Sequence, residues 1–168
     1  MSYRVEPLTA GHNLGAFDCG HDALDIWLRQ HAERATGHGT RTYLLIEEAT
    51  GAVAGYFALA PHLLERDDAP RGVGRGAPQR IPAILLAKLA LDRGRHGQGL
   101  GAELLVHALT TIVAAARSAG GRLIVVDAID ESAASFYRAH DFQPSPTDPR
   151  QLIMKLSTAA RALGLTWP

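Results

Sequence analysis

The stretch Ile81-Pro82-Ala83-Ile84-Leu85-Leu86-Ala87-Lys88-Leu89-Ala90-Leu91-Asp92-Arg93-Gly94-Arg95-His96-Gly97-Gln98-Gly99-Leu100-Gly101-Ala102-Glu103-Leu104-Leu105 holds a strand, a glycine loop and a helix in succession. Residues 81–91 are a continuous apolar run between Arg80 and Asp92. They read as a central strand, with Pro82 at its start, where proline is tolerated. Leu104, Leu105, Ala108, Leu109, Ile112 and Val113 share one face of a helix over about residues 99–118. Glycines between strand and helix let the backbone approach a ligand, and the N–H groups at a helix start point at an anion. The loop therefore predicts a phosphate or pyrophosphate site, with a plain chain-reversing turn as the alternative.

No Lys-Ser/Thr follows the glycines, so the loop is not of the Walker type. Gly97, Gly99 and Ala102 fit the spacing G-x-G-x-x-A of a dinucleotide fingerprint, but its surroundings do not. Residues 92–96 separate the strand from Gly97, where the fingerprint turns at once. Asp127 lies 30 residues past Gly97, against the ~20 expected. Only 67 residues remain after Gly101, too few for the rest of a doubly wound sheet.

Working outward, residues 3–8 form a short strand and residues 21–35 a helix with Leu24, Trp27, Leu28 and His31 on one face, capped near Asp22. Residues 40–47 and 53–60 read as a hairpin turning at Ala49-Thr50-Gly51. Residues 61–79, with three prolines and three glycines, read as a long loop. Residues 123–126 and 152–156 are strands, 131–139 a short helix, and 157–163 can form a terminal helix. The order β-α-β-β-β-α-β-α-β predicts a mixed α/β domain with a parallel crossover in its second half.

Composition narrows the classes. The chain has 168 residues, enough for one domain with a true core. A hydrophobic share of 46% argues against disorder. Lys plus Arg and Asp plus Glu are both 17, so any nucleic-acid surface must be a local patch. Such a patch is present. Arg71, Arg75, Arg80, Lys88, Arg93 and Arg95 face the single acid Asp92 across residues 71–95. Cys19 is the only cysteine, which excludes an intrachain disulfide and Cys-based zinc sites. No H-E-x-x-H or similar pair exists among the eight histidines, so no metal is expected. The longest apolar run is 11 residues and interrupted by Lys88; a span needs ~20. A cytoplasmic protein, away from membranes, is the expectation.

The strand ending Leu-Ala-Leu-Asp, followed by His96-Gly97-Gln98-Gly99-Leu100-Gly101, resembles the acetyl-CoA loop of the GCN5-related N-acetyltransferases (GNAT). Asp130, Ala133, Phe136 and Tyr137, followed by His140-Asp141-Phe142, are similar to that family's N-x-x-A-x-x-L/F-Y…G-F segment. His96 stands where Gln or Arg is usual, and Asp130 where Asn is usual. Phe17-Asp18-Cys19-Gly20, Leu24-Asp25-Ile26-Trp27-Leu28, Ala32, Arg41-Thr42, Gly55-Tyr56-Phe57-Ala58-Leu59, residues 81–92 and Pro144-Ser145-Pro146 are similar to the toxin branch of the superfamily. The likeness covers about residues 3–156.

The resemblance implies a GNAT fold over residues 1–168. This is a mixed, mostly antiparallel sheet with a splayed parallel strand pair, flanked by helices, and residues 157–168 form a tail. It implies acetyl-CoA as donor, aminoacyl-tRNA as acceptor, a ribbon-helix-helix antitoxin as partner, and a homodimer. Leu89, Ala90 and Leu91 would bind pantetheine by main-chain bonds. Arg95, His96, Gly97, Gln98, Gly99, Leu100, Gly101, Ala102, Asp130 and Ser132 would complete the donor site, with Arg93 beside the loop. Tyr137 would assist the departing thiolate. Arg71, Arg75, Arg80 and Lys88 are the tRNA candidates. No general base has a spacing that singles it out. A small amine or protein N-terminus as acceptor, and an acetyl-CoA- or antitoxin-binding fold without turnover, remain the alternatives. Cys19 reads as a small buried residue, Trp27 as core, and Arg29 and Arg34 as solvated charges.

Overall fold

The computed structural model describes residues 2–168. The chain runs β1 (Tyr3–Pro7), α1 (Asp22–Ile26), a π turn (Trp27–His31), α2 (Ala32–Thr36), β2 (Arg41–Glu47), β3 (Val53–Glu65), a 3-10 turn (Arg66–Asp68) and α3 (Arg71–Gly74). It continues with β4 (Arg80–Leu91), a second 3-10 turn (Arg93–Arg95), α4 (Leu100–Ala119), β5 (Leu123–Asp127), α5 (Glu131–Ala139), β6 (Gln143–Pro144), β7 (Gln151–Lys155) and α6 (Leu156–Ala162). The strands form a seven-stranded sheet in the order β1-β2-β3-β4-β5-β7-β6.

Two compact units make up the chain. Among the described residues, the first comprises 2–60 and 87–108, the second 61–86 and 109–168. In the first, β1 pairs antiparallel with β2, and β2 with β3, as the predicted hairpin requires. Phe17, Cys19, Leu28, Ala32, Leu44, Ile46, Tyr56 and Ala90 form its core. Trp27 is only half-buried: it packs against this core from its edge, stacked on Tyr56 with the rings 6.0 Å apart and 8° from parallel. Gly55 admits a close approach: a Cβ there would lie 3.0 Å from the Ala90 carbonyl oxygen and 3.1 Å from Leu104 Cδ2.

In the second unit, Leu64, Ala69, Val73, Ile81, Ala83, Leu123, Val125 and Ile153 pack together. β4 and β5 are parallel, the predicted crossover running through α4. They pair only from Ala83↔Leu123 to Leu86↔Val126. β4 then continues to Leu91, so its last five residues have no β5 partner in the register. β5 pairs antiparallel with β7, and β7 with the two-residue β6, which is too short to show a period in sequence.

Three expectations change. Residues 61–79 are not a featureless loop: β3 extends to Glu65, followed by the 3-10 turn and α3. Pro61 is tolerated because β2 pairing has already ended at Arg41↔Leu59, so its missing N–H costs no bond there. The helix over residues 21–35 carries a π turn, which displaces its side-chain faces by one residue. Asp22 is its first residue rather than its cap; His21 occupies the cap position, and no side chain caps it. α4 is long and apolar enough to cross a membrane by length and composition, with a mean hydropathy of 1.3. However, Leu104, Leu105, Ala108, Ile112, Val113 and Ala116 are all buried in the fold, as expected of a core helix.

Candidate active site

In the first unit, the segment between β4 and α4 is anchored at several points. Asp92 N–H donates to the Ala54 carbonyl at 2.8 Å. The Asp92 carboxylate accepts from Gly94 N–H at 3.1 Å and from Asp18 N–H at 3.1 Å. Arg93 N–H donates to the Asp18 carbonyl at 2.8 Å, and its guanidinium pairs with the Asp18 carboxylate at 3.2 Å. Beyond these anchors, Gly97 and Gly99 hold φ of 78° and 75°. Other residues are strained in that region, and a Cβ at either glycine would meet no atom within 4 Å. The loop therefore presents open backbone, and α4 begins directly after it at Leu100 with the unpaired N–H groups of a first helical turn. A bare cradle of this kind, next to the end of β4 that has no β5 partner, fits a pyrophosphate followed by an extended amide-bearing arm.

The predicted donor-site side chains behave unevenly. His96 Nε2 donates to the Leu91 carbonyl at 2.8 Å, tying the loop back to the strand. The Arg95 guanidinium turns to Glu47 and Tyr3. Any contact from residue 95 to a donor phosphate would then come from its main chain.

In the second unit, Asp130 caps α5: its carboxylate accepts from Ala133 N–H at 2.8 Å. Ser132 is exposed in the first turn of that helix. Tyr137, 5% exposed, has its ring packed edge-on against Phe136 at 5.3 Å and Phe142 at 5.5 Å. No described residue takes a hydrogen bond from its hydroxyl. Burial pushes the phenol above its ordinary value, so it stays protonated through physiological pH. A neutral hydroxyl with no partner among the described residues, on a packed ring, can donate a hydrogen bond to a ligand atom.

The comparisons with known proteins bear directly on these features. Residues 17–142 match the acetyltransferase (GNAT) family. The chain belongs to that family. It is 39% identical over 150 residues to a tRNA-acetylating toxin of Mycobacterium tuberculosis, covering 89% of each chain. It is 27% identical to a probable toxin TacT of Sinorhizobium fredii, covering 95% of this chain and 94% of that one. Among solved structures, it superposes on AtaT complexed with acetyl-methionyl-tRNAfMet with a TM-score of 0.87 and 29% identity, covering 96% and 99% of the two chains. A tyrosine-to-phenylalanine mutant of KacT gives a TM-score of 0.88 at 25% identity, with the same coverage. The GNAT fold and N-acetyltransferase class predicted from sequence are thereby established.

The cationic residues of this GNAT chain separate on inspection. Arg71 and Arg75 are exposed and line an open groove with Arg66, Asp67, Ala69, Gly74 and Pro146. Arg71 opens α3, and Arg75 follows its last residue in extended conformation, its N–H donating to the Arg71 carbonyl at 3.1 Å. Arg80 is exposed and pairs with Glu65 at 3.4 Å. Lys88 is half-buried, with its ammonium 5.2 Å over the Trp27 ring. Arg66 belongs with this group although the sequence reading passed over it. Its guanidinium donates to the Ala77 carbonyl and the Gln79 side chain, bracing the α3 segment. Cys19 is buried, and burial pushes its thiol up to about 11, which leaves it no role as a nucleophile. Among the described residues no His/Cys/Asp/Glu group could hold a metal.

Proposed function

We propose that this acetyltransferase is a toxin that uses acetyl-CoA to acetylate the α-amine of aminoacyl-tRNA, so that the charged tRNA no longer serves translation. The observation that carries this is the match to a tRNA-acetylating toxin at 39% identity along 89% of both chains. The match to AtaT, solved with acetyl-methionyl-tRNAfMet and, with its antitoxin's C-terminus, with acetyl-CoA, supports it. The reading places the protein in the cytoplasm with its tRNA and extends to a ribbon-helix-helix antitoxin and a homodimer. Residues 1–168 act as one catalytic domain.

Acetyl-CoA supplies an acetyl thioester and a phosphate-bearing handle. The main chain of Leu89, Ala90 and Leu91 binds the pantetheine arm, and a backbone N–H there supports the developing oxyanion. His96, Gly97, Gln98, Gly99, Leu100, Gly101 and Ala102 hold the pyrophosphate by main-chain N–H groups. Asp130 and Ser132 shape the start of α5. The Tyr137 hydroxyl donates a hydrogen bond to the departing sulfur. Full proton transfer from a phenol raised above ~10 to a thiolate of conjugate pKa ~8.5 is uphill, so hydrogen bonding is its contribution. An α-amine titrates near ~8, and esterification lowers it further. Much of the acceptor is therefore neutral already, and the chain needs no dedicated base. Arg71, Arg75 and Arg80, with Lys88, bind tRNA phosphates.

Transfer of radiolabel from acetyl-CoA to total charged tRNA tests this, with deacylated tRNA alongside. Label on charged tRNA alone is the expected result. No label on either RNA, with acetyl-CoA still bound, would overturn the tRNA reading and move the search to small amines and protein N-termini.

A further inference from the structure

Glu47 closes β2 and is 3% exposed. A carboxylate that deep needs partners. The Thr50 hydroxyl donates to one of its oxygens at 2.8 Å, and the Arg95 guanidinium takes the other. Tyr3, opposite Glu47 in the β1–β2 register, lies with its hydroxyl 3.4 Å from Arg95 Nη1 and its ring 5.9 Å from the guanidinium carbon. Arg95 Nε is buried with no acceptor. A guanidinium that leaves one N–H unsatisfied is held in place by its remaining contacts rather than by its own optimum.

Arg95 ends the 3-10 turn, donates its N–H to the Asp92 carbonyl at 2.9 Å, and directly precedes His96 and the left-handed Gly97. Of the two ion pairs anchoring this segment, Asp18–Arg93 is exposed and contributes little. Glu47–Arg95 is the enclosed one, and removing one partner would leave the other charge buried and uncompensated. Two glycines free to take many conformations follow within four residues. Without the clamp, binding would have to order them.

We infer that Glu47 is a positioning residue for the acyl donor: it holds Arg95, and through Arg95 the glycine loop, in the conformation that meets the donor's pyrophosphate. This rests on the reading of residues 97–102 as the pyrophosphate cradle. It assigns a function to a β2 residue far from that loop in sequence.

Two donors separate the possibilities: acetyl-CoA, and acetyl-pantetheine, which carries the thioester and arm without the pyrophosphate. Wild-type protein is expected to prefer acetyl-CoA in kcat/KM. In Glu47→Gln the preference is expected to shrink about tenfold, through a raised KM for acetyl-CoA with kcat at saturation held within about twofold. Equal losses with both donors would make Glu47 a scaffold residue only and overturn the inference. A wild type with no preference would instead sink the pyrophosphate reading itself, and the inference with it. If Glu47→Gln fails to fold, Thr50→Ala keeps the ion pair and removes the hydroxyl's bond to Glu47, together with the one that hydroxyl accepts from Ala52 N–H at 3.2 Å. It is expected to shift the preference about threefold in the same direction, and an unchanged preference there would overturn the inference equally.

Discussion

Burial keeps the Tyr137 phenol neutral, and this shapes what its removal should do. Tyr137→Phe retains the ring that packs on Phe136 and Phe142, so folding and acetyl-CoA affinity should be preserved while kcat falls about 10²-fold or more. In the wild type the rate should rise with pH as the acceptor amine deprotonates, toward ~8 or below, and then stay flat to about pH 10. A falling limb near pH 9 would show that the tyrosine titrates and acts as a true acid. Glu47 yields a stability prediction. The Thr50 hydroxyl, and after it the Arg95 guanidinium, hold its carboxyl below the ordinary range against the effect of burial. The unfolded chain therefore binds that proton at higher pH than the folded chain. The stabilisation is complete above about pH 4.3 and is lost as pH falls through the lower folded value. The melting-temperature gap between wild type and Glu47→Gln should be widest near neutrality and close as pH drops below about 4.

At the scale of elements, α5 depends on its cap. Nine residues long, it has little helical stability of its own, and the Asp130 carboxylate supplies one of its missing acceptors. Asp130→Ala should cost about 1 kcal/mol in denaturant unfolding, while Asp130→Asn should cost a few tenths at most. Strand and helix patterns legible in sequence were those with strong period or unbroken apolarity: residues 81–91, the face of α4, and the hairpin. Residues 61–79 were misread because proline and glycine signal breakage locally. Here Pro61 falls beyond the last β2 pair, and Pro70 opens α3. The π turn at Trp27–His31 has no periodic signature, since one inserted residue only offsets a pattern that resumes after it.

For the whole molecule, zero net charge leaves polyanion binding to a local cationic patch, and the one proposed is the groove lined by Arg71 and Arg75. Binding of charged tRNA should weaken steeply with salt. Replacing both Arg71 and Arg75 by Glu should lower the slope of log K against log salt by one to two units. Donor binding, read by calorimetry with acetyl-CoA alone, should be unchanged. A slope unaffected by both substitutions would move the RNA surface elsewhere.

Sequence by itself determined the family, the strand–glycine–helix unit and the candidates Tyr137 and Gly97 to Ala102, because each rests on residues close in the chain and on backbone freedom that only glycine has. Tertiary structure alone decided where the charges point. Arg95 looks like a phosphate ligand beside the loop, but turns to Glu47, 48 residues earlier. Asp92 holds Asp18, and His96 returns to Leu91. Asp130, read as a donor-site residue, also caps α5. Ion pairs and hydrogen bonds between distant residues leave no spacing rule in sequence, since they are set by strand register and burial, which exist only once the chain has folded.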